Sequence, residues 1–266
     1  MRRLAALCVC ASILAGLGGT ASAQGPYGLE KKREWIILGS GAVIGIAALV
    51  TIDNVDPLTL EEIAALDPED VNEFDRHGFN EYREANSGDR MLAMSYLLPL
   101  TFFTYADTRR DWKTLGVMWA EVVLLQMSIN GLVKGTVKRT RPYVYVPETS
   151  LEKKQETTAR LSYYSGHTGT AAANSFFVAK VFNDYLDDWR AKALIWTGAA
   201  LYPAAVGYLR RDSGHHFRTD VITGYIVGGA IGILVPHFHR VKQEQDLSFH
   251  GAMVQGGPGV AMQLQF

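Results

Sequence analysis

Apolar residues in this chain are grouped into six segments of helical length, separated by polar stretches. None of the six shows the alternation of apolar and polar residues that is typical of a half-buried strand. The pattern therefore predicts an all-α protein that folds as a six-helix bundle. The predicted helices cover residues 35–52, 91–105, 115–133, 168–182, 193–209 and 221–235.

The N-terminal residues have the pattern of an export signal. Arg2 and Arg3 precede an apolar run, and the small residues Ala21-Ser22-Ala23 follow it. A basic start, a short apolar core and a small-x-small site are typical of a cleaved signal peptide. The pattern predicts a signal peptide over residues 1–23, with an uncleaved first membrane helix as the alternative.

The C-terminal residues have a different pattern from the helical segments. Glycines and a proline at 256–259 separate two short runs in which apolar and polar residues alternate. This arrangement predicts a small C-terminal β-hairpin. The chain is thus expected to consist of the signal peptide, a helical domain over residues 30–242 with an acidic loop at 53–90, and a C-terminal extension over 243–266.

Composition narrows the class of protein. A chain of 266 residues is long enough for one domain or a small pair with a buried core. Its net charge of -1 implies no general attraction to nucleic acid, and no such partner is expected. Both cysteines, Cys8 and Cys10, lie in the predicted signal peptide, so disulfides and thiol chemistry are excluded from the mature chain.

Three short polar motifs lie at the ends of the predicted helices. The first runs from Lys134 to Arg141, the second is Ser165-Gly166-His167, and the third runs from Arg210 through His216 to Asp220. They lie at the end of the third predicted helix, the start of the fourth, the end of the fifth and the start of the sixth. Because neighbouring antiparallel helices place these ends on one side of a bundle, we expect the motifs to form one pocket.

The residue types in this pocket are suited to binding phosphate. Arg141 and Arg210 offer planar donor forks, and Lys134 offers a point charge. The start of the fourth helix adds unpaired backbone N–H groups. The Ser165 hydroxyl can donate a further hydrogen bond, and Gly166 lets the backbone approach an oxyanion because it has no Cβ atom.

The remaining motif residues are suited to covalent catalysis. His216 is the candidate nucleophile, and Asp220, one helical turn later, can hold its other ring nitrogen. His167 is the candidate acid that protonates the leaving group and later activates water. The adjacent His215 and Arg211 do not fit the spacing of the motif, so His215 is interpreted as a pocket wall. This chemistry requires no metal and no other cofactor.

In order and spacing, the three motifs resemble the signature of the type 2 phosphatidic acid phosphatase and vanadium haloperoxidase superfamily. Its pattern is Lys, six residues, Arg-Pro; then Pro-Ser-Gly-His; then Ser-Arg, five residues, His, three residues, Asp. This chain departs from the pattern at Tyr164, where Pro is usual, and at Leu209, where Ser is usual. The resemblance implies a six-helix bundle of that kind and a phosphatase that forms a phosphohistidine.

The substrate and the exact activity stay open at this stage. A phosphorylated lipid is favoured, because Tyr143, Tyr145, Tyr163 and Tyr164 flank the expected pocket mouth and tyrosine suits a membrane interface. Packing of these tyrosines against helix ends is the alternative interpretation. A soluble acid phosphatase for small phosphomonoesters, a vanadate-dependent haloperoxidase and a non-catalytic phosphate-binding envelope protein are the other functional alternatives.

Several other polar residues are interpreted more simply. Lys138 and Arg139 are expected to form a solvated basic patch. The acidic residues of the loop 53–90 are expected to be solvated. Glu121 is expected to form hydrogen bonds within the bundle. His237 and His239 are not expected to bind metal, because the sequence offers too few ligands near them.

The relation of the chain to a membrane has two possible interpretations. The longest apolar segments can span a bilayer, whereas a mean hydropathy of +0.01 suits a periplasmic domain with buried helices. Basic residues are concentrated on the side away from the motifs, which favours a membrane-associated envelope protein with its active site in the periplasm. These residues are Lys31, Lys32, Arg33, Arg109, Arg110, Lys113, Arg190, Lys192, Arg240 and Lys242.

Overall fold

A computed structural model describes residues 25–76, 79–80 and 82–241, together with the backbone of two strands near the C-terminus. The predicted signal peptide and its two cysteines lie outside the described residues. Ten α-helices are present in the described chain: α1 Lys31–Asp53, α2 Leu60–Ala64, α3 Glu73–Arg76, α4 Asn86–Ser95, α5 Ala106–Arg110, α6 Trp112–Val137, α7 Leu151–Lys154, α8 Gly166–Tyr185, α9 Trp189–Asp212 and α10 Arg218–His239.

Four 3₁₀ helices connect these elements, at Pro68–Asp70, Leu98–Thr104, Pro142–Tyr145 and Thr157–Arg160. The two strands, β1 Leu247–Val254 and β2 Gly257–Leu264, pair antiparallel with Leu247 opposite Leu264. This pairing agrees with the hairpin expected from the alternating pattern. The proposed division into domains remains a prediction.

Five of the six predicted apolar helices are confirmed as the long helices α1, α6, α8, α9 and α10. The second predicted helix, at 91–105, is instead divided between α4 and the 3₁₀ helix that begins at Leu98. Pro99 explains the division, because proline has no N–H to donate and its ring clashes with the preceding turn of an α-helix.

Helix α8 is the central element of the bundle. It packs against α4, α6, α9 and α10, and most of its residues are buried all round rather than on one face. Its C-terminal half contributes Phe177 and Val181 to the main hydrophobic cluster, which also contains Phe102 and, from α6, Met118 and Val122. A helix that is covered on all sides fixes the positions of its neighbours.

The packing of α10 on α8 depends on glycine. Gly224, Gly228 and Gly232 recur every fourth residue along one face of α10 and lie against the carbonyl oxygens of Ser165, Gly169 and Ala173, which also recur every fourth residue along α8. A Cβ atom on Gly224 would lie 2.5 Å from the Ser165 oxygen. Only residues without a side chain allow the two backbones to approach so closely.

The outer surfaces of the long helices are apolar. Three described segments are each long and apolar enough to cross a membrane: helix α1, the segment Trp112–Tyr145 that contains α6, and helix α10. Large side chains such as Val43 on α1 and Ile226 on α10 are more than half exposed. Since exposed apolar surface of this extent is stable in lipid rather than in water, the chain is membrane-associated.

We expect Gly228→Ala to lower the thermal unfolding midpoint of the purified protein in detergent. The new Cβ would lie under 3.0 Å from the Gly169 carbonyl oxygen, so α8 and α10 would have to separate. Overpacking of this kind costs roughly 1–3 kcal/mol. Gly198→Ala in α9 is the matched control, because nothing lies within 4 Å of its new Cβ. Equal midpoints for the two variants would contradict this account of the packing.

Candidate active site

The structure brings the three motifs together at one end of the bundle. Helix α6 and the segment after it carry Lys134 and Arg141, and α9 carries Arg210 in its last turn. The starts of α8 and α10 are joined directly, because the Ser165 N–H donates a hydrogen bond to the carbonyl oxygen of Asp220 at 3.0 Å. Side chains that are far apart in sequence therefore face a common pocket.

Ser165 is the N-cap residue of α8. Its Oγ lies 2.9 Å from the Thr168 hydroxyl and also accepts a hydrogen bond from the Thr168 N–H at 3.4 Å. The next residue, Gly166, faces Asn130 of α6, and a Cβ atom there would lie 2.7 Å from the Asn130 Oδ1. Asn130 in turn donates to the Tyr164 carbonyl oxygen at 2.9 Å. Glycine at 166 is thus required by close packing against α6.

The two arginines of the motifs are buried, and each has N–H donors that form no hydrogen bond with the described residues. Arg141 donates three hydrogen bonds to carbonyl oxygens, at Thr158 (2.8 Å), His215 (3.0 Å) and Leu161 (3.4 Å). A guanidinium has five N–H donors, so two remain for a ligand. The Nε of Arg210 has no hydrogen-bond partner among the described residues. Both side chains are held in place with donors to spare.

His216 is fully buried, and neither ring nitrogen has a hydrogen-bond partner within the described chain. Burial, reinforced by the positive charges of Arg141 and Lys134, holds the pKa of His216 well below its usual range. The imidazole is therefore neutral at physiological pH, with a free lone pair beside a group of cations.

Asp220 is near His216 but is bonded elsewhere. Its Oδ2 lies 3.6 Å from the Nδ1 of His216, beyond hydrogen-bonding distance. The same oxygen accepts hydrogen bonds from Ser162 (2.5 Å) and from the Phe217 N–H (2.9 Å), and Oδ1 accepts one from Arg139 (2.6 Å). The expected orientation of His216 by Asp220 through a direct hydrogen bond is not formed in this state.

His167 faces a carboxylate that the sequence did not single out. Its Nε2 lies 2.8 Å from the Oδ1 of Asp89 in α4, and Arg210 donates to the same oxygen at 2.9 Å. Burial and the charge of Arg210 lower the pKa of His167 to about 4, while Asp89 acts in the opposite direction. Asp89 therefore contacts both His167, the expected acid for the leaving group, and Arg210, an expected phosphate ligand.

The interpretation of Arg139 as a solvated residue is wrong. Arg139 forms ion pairs with the buried Asp75 at 2.8 Å and with Asp220 at 2.6 Å, and its guanidinium lies 4.2 Å from the centre of the Phe217 ring. Asp75 also accepts two hydrogen bonds from Thr219. Arg139 thus links the acidic loop to the start of α10 behind the pocket.

The interpretation of the acidic loop as solvated is wrong for Asp75, whereas the other described acidic residues of the loop are exposed, although Asp89 and Glu62 also form ion pairs. Asp75 has no exposed side-chain surface, Asp89 contacts the pocket, and Glu62 pairs with Arg160. Sequence distance concealed these contacts, because the loop lies about sixty residues or more from its partners in the chain.

The tyrosines near the pocket divide into two groups. Tyr143 and Tyr164 are almost completely buried, which favours packing over a role at a membrane interface. Tyr145 and Tyr163 are partly exposed. The His215 ring lies 5.2 Å from the ring of Tyr82 and 6.0 Å from that of Tyr143, and its Nδ1 contacts Ser213. His215 is thus part of an aromatic wall rather than a group free to react.

We expect Arg139→Gln to destabilise the protein by about 3 kcal/mol, because removing one partner of a buried ion pair leaves the carboxylates of Asp75 and Asp220 without compensation. Arg139→Lys should restore this loss only in part, because a single ammonium cannot replace the fork that contacts both carboxylates. Lys138→Gln is the control. Lys138 is next to Arg139 but is exposed, and among the described residues its Nζ donates to the Asn54 carbonyl oxygen. Unfolding midpoints in detergent test the difference, and equal loss in Arg139→Gln and Lys138→Gln would contradict the ion-pair network.

Comparison with known proteins gives one family match and one similar structure. The model of the PAP2 superfamily matches residues 115–244, which include all three motifs. The chain is also similar to a structure described as the first transmembrane PAP2 type phosphatidylglycerolphosphate phosphatase from Bacillus subtilis. That similarity has a TM-score of 0.47 and 21% identity over 74% of this chain and 94% of the other. A comparison with curated proteins gives no significant match. The match thus assigns residues 115–244, the segment that carries the three motifs, to the PAP2 superfamily.

Proposed function

We propose that the protein is a metal-independent phosphatase that hydrolyses a phosphomonoester or pyrophosphate bond of a lipid phosphate through a phosphohistidine on His216. The observation that carries this proposal is the state of His216. It is buried, neutral and free of hydrogen bonds among the described residues, and the cations Lys134, Arg141 and Arg210 act on it electrostatically. A nucleophile next to positive charge is the arrangement that transfer of an anionic phosphoryl group needs.

The binding step follows from the donors that remain free. The Nε of Arg210 and the two unused N–H groups of Arg141 can donate to the phosphate oxygens. The N–H groups in the first turn of α8 can donate to a further oxygen. A phosphate that takes the Arg210 donor now bonded to Asp89 would displace the Asp89 carboxylate, which is more than half exposed.

The chemical steps assign one role to each histidine. The Nε2 of His216 attacks phosphorus while the bond from phosphorus to the leaving oxygen breaks, and His167 donates its proton to that oxygen. In the second step His167 removes a proton from water, the water oxygen attacks phosphorus, and the bond from phosphorus to His216 breaks. Asp220 stabilises the positive charge that His216 carries between the two steps.

His167 must be protonated for the first step, although its pKa is about 4 without substrate. Burial and the charge of Arg210 cause this low value. A bound phosphate adds negative charge beside the imidazole, which favours the protonated form and raises the pKa. Substrate binding thus prepares the acid that the reaction needs.

The lipid nature of the substrate is supported by the membrane helices alone. Because Tyr143 and Tyr164 are buried, these two tyrosines do not support it further. The apolar outer faces of α1, α6 and α10 would place the pocket within reach of lipid headgroups.

We expect the purified protein to hydrolyse both p-nitrophenyl phosphate and a lipid phosphate in mixed micelles in the presence of EDTA, with higher kcat/KM for the lipid. His216→Ala should abolish turnover and the acid-labile phosphoenzyme. His167→Ala should reduce hydrolysis of the lipid, which has a poor leaving group, by about 10²–10⁴-fold, and should affect p-nitrophenol release less.

The same experiment distinguishes the alternatives. Equal losses for both histidine variants with every leaving group would contradict the assigned roles. A preference for small monoesters would favour an acid phosphatase, and turnover only with vanadate, peroxide and bromide would favour a haloperoxidase. His215→Ala is the matched control, because it should leave the phosphoenzyme intact.

We further propose that the active site faces the periplasm, which requires that residues 1–23 stay on the cytoplasmic side rather than act as a cleaved signal, because α1 begins at the end of the bundle away from the pocket. The end of the bundle away from the pocket carries most of the basic residues named above, and positive charge is retained on the cytoplasmic side of membrane helices. The starts of α1, α6 and α9 and the end of α10 lie at this end.

Single cysteines provide the test of orientation, in a chain whose Cys8 and Cys10 are replaced by serine. Glu152→Cys near the pocket should react with a membrane-impermeant maleimide on cells with a permeabilised outer membrane, if one is present. Asp187→Cys at the opposite end should react only after the cells are lysed. Both positions are exposed. The reverse labelling pattern would place the active site in the cytoplasm.

A further inference from the structure

Three ligand-type side chains meet at the end of the bundle opposite the pocket. Glu34 lies in the first turn of α1, Glu121 lies within α6, and His239 is the last residue of α10. All three are completely buried. The expectation that His239 has too few ligands nearby is therefore wrong, because its neighbours come from two other helices.

The ligand atoms are spaced as in a metal centre. The Nε2 of His239 lies 3.1 Å from an oxygen of Glu121 and 3.4 Å from an oxygen of Glu34, and one atom from each residue lies within 4.8 Å of the others. Ligands bound tetrahedrally at about 2.0–2.1 Å from Zn²⁺ are separated by about 3.3 Å. The observed separations of the imidazole from the two carboxylates agree with this value.

The surroundings of His239 fix which nitrogen faces the carboxylates. Its Nδ1 lies 2.7 Å from the Val235 carbonyl oxygen, which can only accept a hydrogen bond. Nδ1 therefore carries the proton, and Nε2 presents a lone pair to the carboxylates when the ring is neutral. Donation of the outer N–H to a backbone carbonyl is typical of histidines that bind metal.

Glu34 is oriented in the same manner. Its Oε1 accepts hydrogen bonds from the Glu30 N–H and from Arg33, both at 2.8 Å. Arg33 is fixed in turn by the carbonyl oxygens of Gly28 and Phe238. The Oε2 of Glu34 faces His239 and also accepts a hydrogen bond from the Arg33 Nε at 3.2 Å.

Glu121 is the group that needs a further partner. It has no exposed surface, and neither carboxylate oxygen accepts a hydrogen bond from any described residue. The Nε2 of His239 likewise has no hydrogen-bond partner there, although it is close to Glu121. A carboxylate that is buried without donors is costly, and a bound cation removes the cost.

We propose that Glu34, Glu121 and His239 form a binding site for a divalent transition-metal ion of the Zn²⁺ type. Two carboxylates and one imidazole are ligands that Zn²⁺ accepts, and the second oxygen of Glu121 is available as a fourth ligand. The site lies at the end of the bundle away from His216, so its role is structural. It joins α1, α6 and α10.

The test uses the full chain purified in detergent, treated with a chelator and then dialysed against Co²⁺ or Zn²⁺. We expect about one ion per chain, visible absorption typical of four-coordinate Co²⁺, and a thermal unfolding midpoint raised by roughly 5–10 °C at a hundredfold excess of Zn²⁺ over its Kd. Glu121→Gln, which keeps the shape of the side chain, should lose the absorption and the shift. His237→Ala is the matched control, because His237 is exposed two residues away and should change neither.

Three outcomes would overturn the proposal. The first is that the wild-type protein binds no stoichiometric ion, in which case a proton on His239 bridges the carboxylates. The second is that the Co²⁺ spectrum persists in Glu121→Gln, and the third is that it disappears in His237→Ala. The measurements do not use phosphatase activity, so they are independent of the function proposed for His216. If Glu121→Gln does not fold, the stoichiometry and midpoint of the wild-type protein still decide between the ion and the proton.

Discussion

The contact between α8 and α10 is the constraint on which the rest of the structure depends. Gly224, Gly228 and Gly232 allow α10 to lie against carbonyl oxygens of α8, so the two backbones meet without side chains between them. Each of these helices begins with catalytic residues of the proposed mechanism. Close packing along the whole contact therefore sets the distance between His167 at one helix start and His216 before the other, and small changes in it would alter the geometry of the pocket.

The electrostatics of the pocket depend on two layers of charge. Lys134, Arg141 and Arg210 form an inner layer that keeps His216 neutral. Behind it, Arg139 is balanced by the buried carboxylates of Asp75 and Asp220. Because the groups of the outer layer pair with one another, the positive charges of the inner layer remain available at the position where a phosphate would bind. This separation explains why six cationic and acidic groups can lie so close together.

The two ends of the bundle have opposite electrostatic character. At the pocket end, buried cations have spare donors. At the other end, the buried carboxylates of Glu34 and Glu121 face one imidazole and one arginine. The long apolar helices between the two ends present their outer faces to lipid. A bundle of this kind concentrates its polar chemistry at its ends, because groups in the middle of a membrane helix would have no water to solvate them.

The sequence by itself determined the all-α class, five of the six helices that it predicts, and the position of the three motifs at helix ends. Apolar segments of helical length and motifs at their ends are local features, and antiparallel packing is enough to bring such ends together. The sequence did not determine the partners of Asp75, Asp89 and Arg139, because ion pairs between distant segments leave no local pattern. It also did not reveal that His239 meets Glu34 and Glu121. Burial decides whether a charged residue is solvated or paired, and burial is a property of the packed helices alone.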